Sequence, residues 1–71
     1  MTAFQLSNQL KTLRQDLGAT QEEVAIACGV SRQTIIAIEH GNYVPSVMLA
    51  LRLARFFKVP VESLFSISKS P

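Results

Sequence analysis

The stretch from Thr20 to Gly41, TQEEVAIACGVSRQTIIAIEHG, decides the fold of this 71-residue chain. Thr20 and Glu23 form a capping box, in which each side chain can bond a free amide at the start of a helix. That helix is short because Gly29 ends it. Ser31 can then cap a second helix running from Arg32 to His40. The stretch therefore predicts two short helices joined by a tight turn.

The same stretch places a small residue where the two helices must cross. Ala25 lies four residues before the turn glycine, Gly29, and gives the second helix room to approach. Ile35 and Ile38 supply the apolar contacts of the second helix. A small residue, a turn glycine and an apolar pair in this register are the mechanical requirements of a helix-turn-helix.

Three further helices are predicted around this centre. The first places leucines four, three and four residues apart on one face of a helix of roughly three turns: Leu6, Leu10, Leu13 and Leu17. The fourth is capped by Ser46, reaches to about Phe57 and is apolar around most of its circumference. Pro60 fits the start of a short fifth helix. The tail, Ser66–Pro71, has no helical signal, although residues 65–68 alternate and could pair as a short strand.

Composition limits the classes of protein to which the chain can belong. It is 48% hydrophobic and 17% charged, which excludes a disordered tail or a coiled coil, and its length allows one domain, residues 1–71. A net charge of +2 permits nucleic acid as a partner without requiring it. Cys28 is the one cysteine, so neither an intrachain disulfide nor a cysteine-based metal site is expected. The sequence shows no membrane span or signal peptide, and we expect a cytoplasmic protein.

The sequence resembles the phage Cro and repressor type of helix-turn-helix regulator, often called the Xre family, over about residues 6–65. The resemblance lies in LKTLRQDLGATQEEVA (10–25), CGVSRQTIIAIEHGNY (28–43) and PSVMLALRLARFFKVPVESLF (45–65). It implies an all-α, compact five-helix bundle of the lambda-repressor-like DNA-binding type, with the helix-turn-helix at residues 20–41. It also implies double-stranded operator DNA as the partner, with the third helix in the major groove.

The resemblance assigns the DNA contacts residue by residue. Base contacts fall on the third helix, at Arg32, Gln33, Ile36 and Ala37. Arg and Gln are the residue types that bond guanine and adenine edges, whereas Ile36 departs from the polar residue often found at its position. Backbone contacts fall on Gln21, Ser31, Thr34, His40, Asn42 and Tyr43. Because basic side chains are scarce here, we expect DNA affinity to depend only modestly on salt.

Several residues are better explained by structure than by chemistry. Arg14 and Glu39 match a family ion pair that ties the first helix to the end of the third. Cys28 is expected to be a buried thiol, and His40 alone specifies neither a metal site nor a catalytic base. We therefore expect no enzyme activity, cofactor or small-molecule ligand. A basic group on the fourth helix is either a second phosphate-binding patch or a solvated face: Arg52, Arg55 and Lys58.

These patterns predict a sequence-specific transcriptional regulator, most simply a repressor that occupies its operator. The alternative is a protein-interaction module of the same fold, such as an antitoxin, although only a few residues follow Phe65 to block a toxin. The excess of apolar residues over what a small bundle can bury predicts a symmetric homodimer and a palindromic operator. We place the dimer interface on the fifth helix and the segment after it, at Val61, Leu64, Phe65 and Ile67.

Overall fold

The computed structural model describes residues 3–70, which form five helices and a two-stranded antiparallel sheet. In chain order the elements are β1 (Ala3–Asn8), α1 (Leu10–Leu17), α2 (Gln21–Cys28), α3 (Arg32–Glu39), α4 (Val47–Phe57), α5 (Val61–Leu64) and β2 (Phe65–Ser70). Within this range no helix combines the length and the hydrophobicity needed to cross a lipid bilayer.

The helix starts follow the predicted capping residues. The Thr20 hydroxyl accepts a hydrogen bond from the Glu23 amide at 3.0 Å, and the Glu23 carboxylate accepts one from the Thr20 amide at 2.8 Å. Ser31 and Ser46 cap α3 and α4 in the same way, each accepting from the amide three residues later. Gly29 ends α2 in the left-handed conformation, with φ of 72°. Helices α2 and α3 therefore begin directly after the predicted caps, and α2 ends at the predicted glycine.

The core lies where α2, α3 and α4 meet, closed by the start of α1 and the end of α5. Its buried members are Leu10, Val24, Ala25, Cys28, Ile35, Ile38, Leu49, Leu53, Ala54 and Leu64. Ala25 is 1% exposed, as expected for a small residue at the helix crossing, and Ile35 and Ile38 are completely buried. Burial of this kind contributes about 1.5–3 kcal/mol for each large aliphatic side chain.

The prediction that Leu6 belongs to the first helix is wrong. Residues 3–8 form strand β1, and α1 begins only at Leu10. The spacing of four between Leu6 and Leu10 matched a helical period, but β1 is stabilised by pairing with the distant segment Phe65–Ser70. No hairpin turn in the neighbouring sequence could have predicted that pairing. The fold is thus mostly helical, as predicted, with an additional small sheet.

The alternating segment after α5 forms a strand, as its pattern indicated. In the sheet, Leu6 lies opposite Ile67, and Asn8 lies opposite Phe65. Residues opposite one another in an antiparallel pair share one face, so Leu6, Phe65 and Ile67 form an apolar face with Asn8 at its edge, and glutamine and serines form the polar face. Of the predicted tail, residues 66–70 belong to β2, and Pro71 lies outside the described residues.

The structure corrects one member of the predicted dimer interface. Leu64 is completely buried in the core of its own chain, because α5 turns this side chain inward, so it is not available to a second chain. Val61 and Phe65 are half-buried against the same core. Ile67 is 71% exposed and remains accessible.

Candidate nucleic-acid interface

The first turn of α3 is oriented by the burial of its opposite side. Ile35 and Ile38 face the core, and Arg32 and Gln33 are exposed at the start of the helix. The Ser31 cap fixes where this turn begins, because its hydroxyl accepts from the Thr34 amide at 3.2 Å. A helix held in this way presents a guanidinium and a carboxamide outward from its N-terminal end.

The four residues predicted to contact bases differ in accessibility. Arg32 and Gln33 are exposed, whereas Ile36 and Ala37, one turn further along, are half-buried. The side chains of Arg32 and Gln33 are the ones that can make bidentate hydrogen bonds to base edges. Ile36 and Ala37 can offer only apolar contact, such as contact with a thymine methyl group.

Two predicted backbone contacts, Ser31 and Thr34, are engaged with one another. Their hydroxyl oxygens lie 3.1 Å apart, in addition to the capping bond that Ser31 makes to the Thr34 amide. A hydroxyl has one proton and two lone pairs, so each can still make a further bond. Their placement at the start of α3 is compatible with a phosphate contact, but capping is their visible role.

Gln21, the first residue of α2, is held by the end of α3. Its side-chain Nε2 donates to a carboxylate oxygen of Glu39 at 3.2 Å. The second Nε2 proton and the backbone amide at the helix start remain able to face an anion, where the helix dipole favours negative charge. The Glu39 bond therefore orients the Gln21 carboxamide beside α3.

The predicted ion pair between Arg14 and Glu39 is present. Arg14 Nε donates to Glu39 Oε2 at 2.7 Å and its Nη2 donates to Oε1 at 3.2 Å, which makes the pair bidentate. Only 13% of the Arg14 side chain and 1% of the Glu39 side chain are exposed. Arg14 also donates to the Ala19 carbonyl at 3.2 Å. Glu39 thus ties α3 to both α1 and α2.

The pKa values of this pair reflect the mutual contacts. The Arg14 pKa is raised, chiefly by its hydrogen bond to Glu39. Burial by itself would raise the pKa of the Glu39 carboxyl, but the bonds from Arg14 and Gln21 outweigh it and the pKa lies below its ordinary value. Both groups are therefore charged near neutral pH.

An open groove brings the predicted residues of α2 and α3 together with α1. Lys11, Gln21, Glu22, Arg32 and His40 line it, above the Arg14–Glu39 pair. Four of these side chains, all except that of Glu22, can donate hydrogen bonds to phosphate oxygens. The groove lies beside the exposed first turn of α3.

Lys11 was not among the residues predicted to contact DNA. It lies one turn before Arg14 on α1 and is exposed, and its charge is the smallest of the influences that lower the pKa of the Glu39 carboxyl. The spacing of three residues from Arg14 was the signal that could have found it, since residues i and i+3 share a helix face.

The loop after α3 carries the other predicted backbone contacts. His40, Asn42 and Tyr43 are exposed. The loop folds back on the helix end, because the amides of Gly41 and Asn42 donate to the Ile38 and Ala37 carbonyls at 3.0 and 2.8 Å. These residues flank α3 at the end opposite Arg32.

The basic residues of α4 lie away from this groove. A guanidinium nitrogen of Arg52 lies 3.7 Å from where a side chain on Gly29 would begin, and Arg52 and Arg55 line a separate depression with Ile26 and Phe56. Lys58 borders another, beside Leu13 and Leu17. All three basic side chains are exposed, which fits the solvated-face interpretation.

The remaining candidates for chemistry are structural. Cys28 is buried, and burial raises the pKa of its thiol despite the nearby charge of Arg52, so the thiolate is disfavoured. Among residues 3–70, no cluster of histidine, cysteine, aspartate and glutamate could hold a metal ion. The buried-thiol interpretation of Cys28 is confirmed.

Comparison with known proteins places this geometry in context. A family profile described as a helix-turn-helix domain matches residues 5–64. An HTH-type transcriptional regulator of Methanocaldococcus jannaschii is 52% identical over 60 residues, which cover 84% of this chain and 91% of that protein. The transcriptional repressor RstR of the cryptic phage CTXphi in Vibrio cholerae is 36% identical over 90% of this chain and 58% of its own length.

A solved structure is similar in three dimensions as well. The restriction-modification controller protein C.AhdI of Aeromonas hydrophila superposes with a TM-score of 0.73 and is 27% identical, covering 78% of this chain and 83% of that one.

Proposed function

The chain belongs to the helix-turn-helix family of Xre-type DNA-binding transcriptional regulators, and from this premise we propose that it is a repressor that occupies an approximately palindromic operator as a homodimer. The first turn of α3 carries the proposal. It exposes Arg32 and Gln33 on a helix whose other side is fixed by the buried Ile35 and Ile38. These two side chains read base edges in the major groove, with Ile36 and Ala37 making apolar contact.

The residues that line the groove beside α3 position the protein on the duplex. Gln21, held by Glu39, and Lys11 contact the phosphates on one side, with Ser31 and Thr34 near the start of α3. His40, Asn42 and Tyr43 contact the backbone at the other end of the helix. Contacts of this kind fix register and orientation without reading sequence.

Repression is the mode of regulation that this small domain suits best. A protein that binds an operator overlapping a promoter excludes other proteins from that DNA, and this needs no further activity. The similarity to RstR, which is a transcriptional repressor, supports the choice. We accordingly propose a binding function rather than an enzymatic one.

The apolar face of the β1–β2 sheet supports the homodimer. At the end nearer the helices, Asn8 and Phe65 contact the body of the domain. Further out, Leu6 and Ile67 lie opposite one another on the same face and are 42% and 71% exposed. A two-stranded sheet is marginally stable alone, so an uncovered apolar face favours a partner surface.

A two-fold axis at this sheet makes the contact self-complementary, because each copy presents the same face. The interface comprises Leu6, Val61, Phe65 and Ile67. In such a dimer the two α3 helices enter successive major grooves, about 34–36 Å apart, which is one turn of DNA. The operator then carries the same half-site twice, in opposite orientation.

The test is selection from duplexes with a randomised centre, by mobility shift followed by sequencing of the bound DNA. The expected result is one motif with two-fold symmetry, and placing that motif across a promoter should lower transcription in vitro when the protein is added. Recovery of no motif would contradict sequence-specific binding and favour an interaction module. A motif without symmetry would contradict the homodimer, and increased transcription would contradict repression.

A further inference from the structure

Asn8 is the point at which the sheet, α1 and α3 meet. It is the last residue of β1 and lies opposite Phe65 of β2. Its side-chain Oδ1 accepts from the Leu10 amide, at the start of α1, at 3.1 Å. Its Nδ2 donates to the Ile38 carbonyl, in the last turn of α3, at 2.9 Å. One half-buried carboxamide thus joins three elements.

The bond to Ile38 acts on the end of α3 from which the DNA-flanking loop departs. The same Ile38 carbonyl accepts from the Gly41 amide at 3.0 Å, so Asn8 and the loop after α3 share an anchor. The apolar contacts of Ile35 and Ile38 bury α3 but are non-directional, whereas a hydrogen bond has a preferred distance and angle. Together with the bonds that Glu39 makes to α1 and α2, Asn8 therefore restricts the tilt of α3 in a way that packing alone does not, and it does so from the side of the sheet.

We propose that Asn8 is a positioning residue for sequence readout, acting through the Ile38 carbonyl on the orientation of α3. The inference rests on the proposed role of α3 in reading bases. Arg32 lies six residues before Ile38, or about 9 Å along the helix axis at 1.5 Å per residue. A tilt of only about 6° at the anchored end therefore moves the reading end by roughly 1 Å, enough to spoil a bidentate hydrogen bond.

Three variants separate the two bonds of Asn8 from general weakening of the strand. Asn8→Asp keeps an acceptor for the Leu10 amide but cannot donate to the Ile38 carbonyl. Asn8→Ala loses both bonds. Ser7→Ala is the control, because Ser7 lies next to Asn8 on the opposite face of the sheet and its hydroxyl hydrogen-bonds that of Ser66, on β2, at 2.8 Å.

The measurement is the ratio of the dissociation constant for a scrambled duplex to that for the selected operator, at a temperature where circular dichroism shows each variant folded. Using the ratio removes the uniform effect of the negative charge in Asn8→Asp. We expect a ratio about tenfold lower in both Asn8 variants, the scale of one impaired base contact, and an unchanged ratio in Ser7→Ala. If Asn8→Ala melts below the assay temperature, Asn8→Asp carries the comparison.

A ratio that stays at the wild-type value in the Asn8 variants, with only the melting temperature lowered, would show that Asn8 merely stabilises the fold and would overturn the inference. The same holds if Ser7→Ala lowers the ratio equally. A wild-type protein that does not distinguish the two duplexes would instead overturn the proposed function, and the inference with it.

Discussion

Glu39 is the residue on which the candidate site depends most. Its carboxylate accepts hydrogen bonds from Arg14 on α1 and from Gln21 on α2. Glu39 is also the last residue of α3. A carboxylate that is 1% exposed is stable only because these donors compensate for its lost hydration. The same contacts hold the end of α3 against α1 and α2.

Removing either member of the Arg14–Glu39 pair should therefore destabilise the fold. Arg14→Ala or Glu39→Ala leaves a charged partner without its counterpart, which costs about 3–5 kcal/mol in a fully buried pair and less here, where water reaches Arg14. The double variant should be less destabilised than the sum of the single variants. A double-mutant cycle from urea unfolding measures this, and strictly additive losses would show that the two residues do not interact.

Acidification should weaken the protein through the same carboxylate. The pKa of Glu39 is lower in the folded state than its ordinary 4.5, so its contribution is present above that pH and is lost as pH falls through the folded value. Glu23, whose pKa is lowered by its bonds to Thr20, contributes in the same direction. Glu39→Gln should reduce the loss of stability that is measured as the pH falls below the ordinary value of 4.5. If the stability of Glu39→Gln depended on pH as that of the wild type does, Glu39 would not be a source of the acid sensitivity.

Substitutions at Gln33 and Gln21 should distinguish base recognition from positioning on the DNA backbone. Gln33→Ala is expected to relax preference at one operator position and to cost about 1–3 kcal/mol, the typical value of a bidentate base contact. Gln21→Ala should weaken binding to all sequences alike. Preference matrices for both variants check this, and a uniform loss of affinity in Gln33→Ala would contradict the division of roles.

Among the elements, the β1–β2 sheet has the clearest test of its proposed role. Ile67→Asp places a charge on its exposed apolar face and should raise the dimer dissociation constant about a hundredfold or more, since each buried isoleucine contributes roughly 1.5–3 kcal/mol and a dimer loses two. Leu51→Asp is the matched control, because Leu51 is 54% exposed on α4. Sedimentation equilibrium at micromolar concentration measures both variants.

If Leu51→Asp were monomeric while Ile67→Asp remained a dimer, the interface would lie on α4 and not on the sheet. A monomeric wild-type protein would refute the homodimer altogether.

The elements differ in how far the sequence could predict them. The capped helices α2, α3 and α4 were predictable because Thr20, Ser31 and Ser46 act on amides only three residues away. Strand β1 was not predictable, because its partner strand is distant in the chain. The spacing of four residues between Leu6 and Leu10 is also typical of a helix. Leu64 was misassigned for a related reason: a one-turn helix has too few residues for periodicity to say which side faces inward.

The residues of the candidate site also differ in how far the sequence could predict them. The exposure of Arg32 and Gln33 followed from helix register, whereas the groove that adds Lys11 depends on how α1 packs against α2 and α3. Nor could the sequence indicate that Asn8 bonds a carbonyl thirty residues away. Packing between distant segments, rather than local preference, accounts for what was missed.

At the scale of the whole molecule, the net charge of +2 predicts a weak dependence on salt. With two or three phosphates neutralised by each copy, the slope of log affinity against log salt should be about −4 to −5 for a dimer. Lys11→Gln should reduce its magnitude by about 2, one per copy. Lys58→Gln, which removes the same charge outside the groove, should leave it unchanged, and equal effects of the two would contradict the proposed phosphate surface.

The account's central claim is that the protein reads DNA with the first turn of α3, and amide chemical-shift mapping tests it most directly. The ¹⁵N-labelled protein is titrated with the selected operator and with a scrambled duplex of the same length. The account predicts that Arg32 and Gln33 shift strongly only with the operator, while Gln21 and Lys11 shift with both. Shifts confined to Arg52, Arg55 and their neighbours on α4, with α3 unchanged, would contradict it.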